Sequence, residues 1–187
     1  MYFYRKVISL RRSDNEVNSS ETFCRTLTAL ENDPNVQIMK QYSQHRGNNT
    51  FQHCVNVARC SFYLAQKLHW HVDEVSLATG AMLHDYYLYC ATDPGVNKGR
   101  HAVKHPVTAL ANAEQIWELN DREKNIIRSH MFPLPVNRMP MYREAWLVSF
   151  ADKYCAIREA MSSGSDMDIH PGDKTPWVTN FFRNVFA

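Results

Sequence analysis

The residues best suited to chemistry are histidines and aspartates that recur where a helical core is expected. The chain has 187 residues and nine of them are histidines. His53 shares a predicted helix face with Val57 and Leu64, because these residues follow one another at helical spacing. His84 and Asp85 extend the buried stripes of the next predicted helix. The remaining candidates, each near or on a further predicted helix, are His105, His130 and Asp152.

These six side chains have the composition of a transition-metal site. Buried imidazoles and carboxylates are costly unless they are paired or bound to a metal. A mixed set of nitrogen and oxygen ligands is typical of Fe, Mn, Co, Ni or Zn. Two divalent ions would be only partly neutralised by the two carboxylates, and such a cationic centre favours an anionic substrate such as a phosphate. We therefore predict one or two divalent transition-metal ions as cofactors.

The elements that must position these residues are all predicted to be helices. No sustained period-two pattern or hairpin turn is present, so we predict an all-α bundle. Thr50 is the expected N-cap of the His53 helix, Asn120 or Asp121 that of the His130 helix, and Pro106 opens the helix that follows a loop over 93–100. The predicted helices cover about 21–32, 35–43, 51–69, 73–89, 106–119, 121–131 and 141–162, with a short one containing Trp177, Phe181, Phe182 and Phe186.

Length and composition indicate one folded domain. We expect an N-terminal arm and helices over 1–44, a metal-binding core over 45–162, and a tail over 163–187 that packs on the same domain. Hydrophobic residues make up 44% and the formal net charge is +2, which favours neither nucleic acid nor a membrane as a partner. The five cysteines form no CxxC pair, so we expect free thiols and a cytoplasmic protein. The aromatic tail could also mediate a homodimer.

The ordered histidines and aspartates resemble those of the HD-domain metal-dependent phosphohydrolase superfamily. The pair His84-Asp85 ends the segment Gly-Ala-Met-Leu-His-Asp, with His53 before it and Asp152 after it in Phe-Ala-Asp-Lys. The resemblance covers about residues 45–160. His105, followed by proline, and His130 match two additional histidines of the binuclear members of the superfamily, and the resemblance implies an HD-domain helical bundle.

The resemblance also implies a role for each residue. His53, His84, Asp85 and Asp152 would hold a first metal ion. Asp85 would bridge to a second ion, whose other ligands would be the two matching histidines named above. A hydroxide between the ions would be the nucleophile, with His84 and Asp85 as the catalytic pair. The chain would then be a phosphohydrolase or phosphodiesterase acting on a small phosphorylated metabolite, with a nucleotide as the expected class.

Substrate contacts are expected from basic residues near the predicted ligands. His101 and Lys104 lie in the basic segment before His105, and His45 precedes the His53 helix by a short turn. The chain departs from the family because 86–89 contain no lysine of the His-Asp-x-x-Lys pattern, and no Gly-Tyr-Pro element is present. Cleavage of a cyclic dinucleotide is therefore not expected. The alternatives are an HD-type di-iron oxygenase, a catalytically silent metal- or nucleotide-binding module, and a structural helical protein.

Overall fold

A computed structural model describes residues 19–45, 48–91, 93–95 and 98–161. Within these residues, seven α-helices account for most of the structure, which confirms the predicted all-α class. A 3-10 turn and a small two-stranded ribbon complete it. The elements are α1 (Ser19–Glu31), α2 (Pro34–Gln37), the 3-10 turn (Ile38–Gln41), β1 (Ser43–His45), β2 (Asn48–Asn49), α3 (Thr50–Lys67), α4 (Glu74–Leu83), α5 (Lys98–Glu114), α6 (Asp121–Ser129) and α7 (Arg143–Met161).

Helix α3 lies at the centre of the bundle. It packs against α4 and α7, while α4 also packs on α1 and α6, and α6 reaches α5 and α7. The stripe predicted from spacing is buried, since Val57, Cys60 and Leu64 are at most 4% exposed. The cysteines within the described residues are free thiols, as predicted. This arrangement brings the chain segments that carry the candidate ligands around one core.

Two helix starts show how local sequence sets the elements. Helix α6 begins at a capping box, in which the Asn120 side chain accepts from the Glu123 N–H at 2.8 Å and the Glu123 carboxylate accepts from the Asn120 N–H at 2.9 Å. The expected cap at Asn120 is therefore confirmed. The prediction for α3 was wrong by one residue, because Asn49 is its N-cap and accepts from the Gln52 N–H. Thr50 instead donates its hydroxyl to the Tyr42 carbonyl at 3.2 Å.

The prediction of no strands was wrong in one place. Strands β1 and β2 pair antiparallel immediately before α3, where a turn was expected. The helix predicted over 35–43 is divided into α2 and the 3-10 turn, and β1 then begins at Ser43. Strands of three and two residues are too short to show an alternating pattern, and their pairing depends on a partner strand rather than on local propensity.

Helix α4 is shorter than predicted and ends at Leu83 rather than near residue 89. His84 is its C-cap, and the next residues turn back, with the Tyr87 N–H donating to the Asp85 carbonyl at 2.8 Å. Leu88 has a φ of 58°, which takes the backbone out of the helical region. No glycine or proline marks this end, so the aromatic sequence gave no stop signal. The predicted pair therefore lies at the end of a helix and not within one.

Helix α5 begins earlier than predicted. It starts at Lys98 and contains Pro106 in its interior, whereas the sequence placed a loop before Pro106 and the helix start at it. A proline inside a helix removes one backbone hydrogen bond and does not by itself end the helix when other contacts hold the preceding turn. His101 and His105 provide such a contact, since their rings stack with centroids 4.5 Å apart.

Several predictions lie outside the described residues. These are the irregular arm at the N-terminus, the turn residues 46–47, and the helix with the aromatic residues of the tail. The division into 1–44, 45–162 and 163–187 stays a prediction.

Helices α4 and α6 come close together at Gly80 of α4, and this contact yields a stability test. A Cβ at this position would lie 2.6–2.8 Å from three side-chain atoms of Ile126 in α6, including its own Cβ. Gly80→Ala gains about 1 kcal/mol in helix propensity, but overpacking typically costs about 1–3 kcal/mol. Because the rigid Cβ of Ile126 cannot move away, we expect the overpacking cost to lie at the upper end of this range, and the free energy of urea-induced unfolding to fall by about 2 kcal/mol.

Gly95 provides the matched control. It is exposed, and an added Cβ there meets no atom within 4 Å. Gly95→Ala should change the free energy of unfolding by less than about 0.5 kcal/mol. Equal stability of the two variants would contradict the close packing of α4 on α6.

Candidate metal centre

The six predicted ligands converge on one buried cluster. Five chain segments supply them: α3, the residues after α4, α5, the residue after α6, and α7. None is more than 7% exposed, and three are entirely buried. The residues are His53, His84, Asp85, His105, His130 and Asp152. Side chains up to a hundred positions apart in sequence therefore meet at a single point of the core.

The carboxylate of Asp85 lies between two sets of histidines, one at each oxygen. Its Oδ2 is 3.9 Å from His53 Nε2 and 3.4 Å from His84 Nε2. Its Oδ1 is 3.2 Å from His105 Nε2 and 3.5 Å from His130 Nε2. Each set, with Asp85, has ligand atoms close enough together to hold one metal ion. The geometry is that of two adjoining sites that share one carboxylate.

Asp152 completes the first of these sites. Its Oδ1 is 3.1 Å from His53 Nε2 and 3.7 Å from His84 Nε2. We call the Nε2 atoms of His53 and His84, Asp85 Oδ2 and Asp152 Oδ1 the first donor group. The second donor group consists of Asp85 Oδ1 and the Nε2 atoms of His105 and His130. The first group thus has four donors and the second has three.

The backbone fixes which ring nitrogen of three histidines faces the cluster. In each of them Nδ1 lies within hydrogen-bond distance of a carbonyl on the preceding turn, so the neutral ring carries its proton on Nδ1 and its lone pair on Nε2. Histidine ligands of metals commonly donate their other nitrogen in this way. The pairs are His84 with Ala81 at 2.7 Å, His105 with His101 at 2.9 Å, and His130 with Ile127 at 2.8 Å.

A carboxylate orients the fourth ring. His53 Nδ1 is 2.8 Å from Glu159 Oε2, and Glu159 Oε1 accepts from the Asn56 side chain at 3.2 Å. The sequence analysis did not identify Glu159, although a signal for it exists. It follows Asp152 by seven residues on α7, and Asn56 follows His53 by three on α3, so each pair shares a helix face.

Gln44 is a second residue that sequence reasoning missed. It lies on β1, and its side-chain amide donates to Asp85 Oδ2. The carbonyl oxygen of the same side chain is buried and has no hydrogen-bond partner. Its only sequence signal is its position beside His45, a predicted substrate-binding residue. The ribbon therefore places a polar side chain against the shared carboxylate.

The donor set fits a cation. His105 Nε2 and His130 Nε2 are 2.7 Å apart, and with both Nδ1 atoms protonated their lone pairs face each other. Such an approach is unfavourable without a proton or a metal ion between the two rings. His84 Nε2 and Asp85 Oδ1 are likewise buried without a hydrogen bond. Buried polar atoms without a partner, which become metal donors once the imidazole is neutral, are what a metal site offers.

Without a metal, protons balance the charges of the cluster. Burial alone lowers the pKa of His53, but hydrogen bonds with Asp152 and Glu159 outweigh it and raise the pKa to about 10. Burial is likewise outweighed at His84, where the charge of Asp85 holds the pKa well above its usual value. Burial together with the charges of His84 and His105 lowers the pKa of His130 to about 3.

The two aspartates respond in the opposite sense. Burial alone raises the pKa of each, but neighbouring imidazoles outweigh it and hold both carboxyls well below their usual range. For Asp85 the main contribution is the charge of His84, and for Asp152 it is the hydrogen bond with His53. Both aspartates are therefore ionised, and cations compete with protons for the same nitrogen atoms.

The structure describes the side chains of two of the three predicted substrate-binding residues, and one of these two lies beside the cluster. His101 is half-buried beside the second donor group, where it stacks on His105 and its Nδ1 is 2.8 Å from the Tyr89 hydroxyl. Lys104 is exposed, and no contact of its side chain with the cluster is present among the described residues. His45 is the last residue of β1, and the position of its side chain is not described.

Comparison with known proteins agrees with this arrangement. A family model described as HD domain matches residues 50–157, more than half of the chain. The chain therefore belongs to the HD domain family, as the His-Asp pair and its partners predicted. HD domains bind divalent metals, and their superfamily consists mostly of metal-dependent phosphohydrolases. Neither a curated protein nor a solved structure matches the chain significantly.

Across the part of the chain that the structure describes, none of the helices combines the length and the hydrophobicity needed to cross a bilayer.

The role of Glu159 can be tested by removing its charge alone. Glu159→Gln keeps an oxygen that can accept from His53 Nδ1, but it lowers the basicity of the ring. Because outer-shell partners typically contribute 10–100-fold to metal affinity, we expect about a tenfold or greater loss measured by calorimetry. Glu114 is the control, since it is exposed and pairs with Lys124 at 2.8 Å. Equal affinities of Glu159→Gln and Glu114→Gln would contradict the role.

Metal binding should release protons. The raised pKa values of His53 and His84 leave both rings protonated at pH 7 in the metal-free protein, whereas a metal ion requires neutral imidazoles. We expect about two protons released per chain, and an affinity that rises with pH. Calorimetry in buffers of different ionisation enthalpy measures this number. His69→Ala, a change at an exposed histidine, should leave it unchanged, and binding without proton release would refute the assignment.

Proposed function

We propose that this chain is a metal-dependent phosphohydrolase that hydrolyses a small phosphorylated metabolite, with a nucleotide as the favoured class. The observation that carries the proposal is the division of the Asp85 carboxylate between two donor groups. A carboxylate so placed can bridge two ions, and paired divalent ions are used for hydrolysis of phosphate esters. Membership of the HD domain family supports the same reaction class.

The two donor groups define the proposed ligands. The first group would hold one divalent ion through His53, His84, Asp85 and Asp152. The second group would hold another through Asp85 and two further histidines, His105 and His130. Bound ions of this kind act as Lewis acids and lower the pKa of a coordinated water. The imidazole and carboxylate donors suit Fe, Mn, Co, Ni or Zn.

The protein's own residues do the positioning. Glu159 and the carbonyls of the preceding turns hold each imidazole with Nε2 toward the ions. Gln44 donates to Asp85 and keeps its two oxygens directed at different donor groups. Glu159 also adds a third buried carboxylate, so the positive charge left for an anionic substrate is smaller than six ligands alone would give. The expected substrate is therefore a phosphate ester of modest charge.

The edge of the second donor group supports a nucleotide. His101 stacks on His105, and Tyr89, whose hydroxyl meets His101, is also half-buried there. Aromatic faces of this kind bind nucleobases, and each base that stacks on one contributes about 1–3 kcal/mol. We propose that His101 contacts the substrate, while substrate contacts of Lys104 and His45 stay predictions.

Activity and metal content together test the proposal. Purified protein should hydrolyse at least one phosphate ester or nucleotide when loaded with Mn, Co, Ni, Zn or Fe, with oxygen excluded. Asp85→Asn should lose both metal equivalents and more than about a hundredfold of the activity, exceeding the usual 10–100-fold effect of residues that only orient a ligand. Asp93→Asn, at an exposed loop position, should keep the activity and both metal equivalents.

Other outcomes would replace the proposal. Turnover that requires iron and oxygen would indicate a di-iron oxygenase. Tight nucleotide binding without turnover across all metals would indicate a silent binding module. A protein that binds no metal at any pH would be a structural helical protein, and the phosphohydrolase proposal would be wrong.

A further inference from the structure

The backbone carbonyl of His130 cannot be satisfied by the chain that follows it. A carbonyl at a helix end usually accepts from an N–H three to five residues later. Two of these positions here are Pro133 and Pro135, which have no N–H. The N–H of Leu134 between them donates to the Met131 carbonyl at 2.9 Å. The sequence after His130 therefore leaves this carbonyl without a local donor, although buried carbonyls need one.

Lys153 supplies that donor from α7. Its Nζ lies 2.9 Å from the His130 carbonyl oxygen, and 3.1 Å from both the carbonyl and the hydroxyl oxygen of Ser149. An ammonium group has three N–H donors, so these three acceptors use all of them. The side chain is partly buried between α6 and α7. A lysine held in this way has no donor left for a substrate.

The position of Lys153 connects the two donor groups. It follows Asp152 directly on α7, and Asp152 belongs to the first donor group through its contact with His53. Lys153 instead reaches the segment that carries His130, a member of the second donor group. His130 is thereby held at two points, its ring by the Ile127 carbonyl at 2.8 Å and its backbone by the ammonium. Two adjacent residues of α7 thus contact a member of each donor group.

We propose that Lys153 is a positioning residue that fixes His130 and thereby forms the second donor group, without touching metal or substrate. The inference rests on the metal site of the proposed function and extends it. It assigns to Lys153 a role different from that of the lysine expected shortly after the His-Asp pair, which would contact substrate. It also predicts that the two metal equivalents depend unequally on this residue.

The test is a titration of metal-free protein with Co²⁺, followed by calorimetry and by visible absorption. In Lys153→Met the side chain stays unbranched and is one atom shorter, and the donors are lost. We expect the second equivalent of Co²⁺ to bind about 10–100-fold more weakly than in wild type. The affinity for the first equivalent should stay within about threefold of the wild-type value. Lys153→Arg, which keeps a cationic donor, should lie nearer to wild type than to Lys153→Met.

Two controls separate positioning from general destabilisation. Lys124→Met removes an exposed lysine of α6 and should leave both equivalents unchanged. Ser149→Ala removes one acceptor of the ammonium but keeps its bond to the His130 carbonyl. Both equivalents of Co²⁺ should therefore bind as in wild type. Equal weakening of both equivalents in Lys153→Met, or two equivalents bound as in wild type, would overturn the proposal.

A metal-free measurement keeps this result distinct from the proposed function. Nitrogen NMR of the histidine rings reports whether the His130 proton stays on Nδ1. In Lys153→Met we expect this ring to lose its single tautomer, while the His84 ring signals stay as in wild type because Ala81 still accepts from its Nδ1. An unchanged His130 signal would refute the positioning role. Absence of Co²⁺ binding by wild-type protein would instead refute the metal site, whatever the NMR shows.

Discussion

The structure depends on one buried carboxylate, that of Asp85, and on the need to compensate its charge. An ionised aspartate in a protein core is costly unless it is paired and hydrogen-bonded. Here four imidazoles and the amide of Gln44 surround its two oxygens. Each of these partners comes from a different segment of the chain, so the bundle has to bring four helical segments and one strand to the same point.

The cluster has the geometry of a cation site as well as compensating charges. Charge compensation by protons does not require the Nε2 lone pairs of His105 and His130 to face each other at 2.7 Å, whereas a shared metal ion does. Backbone carbonyls and Glu159 hold each ring with Nε2 inward, which removes the reorientation that a flexible site would require. Such preorganisation raises affinity by reducing the entropy lost on binding. A metal ion that binds only the folded site would also stabilise the fold.

The sequence predicted the elements better than their ends. Helical spacing located α3 and α7, because their buried faces repeat over several turns. It did not locate the end of α4, which no glycine or proline marks, or the start of α5, where Gly99 is the second helical residue and indicated a loop. Pro106 misled the prediction, because a local rule for helix starts was applied where stacking of His101 on His105 keeps the earlier turn helical. Tertiary contacts outweigh weak local propensities at such places.

By itself the sequence determined which residue types would meet in the core, because a histidine or aspartate on a buried helical stripe is informative without coordinates. It therefore gave all six members of the cluster and the family to which the chain belongs. Only the tertiary structure decided how the Asp85 oxygens are shared, and that Glu159, Gln44 and Lys153 contact members of the cluster. His53 and Glu159 lie 106 positions apart. Contacts over such distances depend on how helices pack, and local sequence carries no record of that packing.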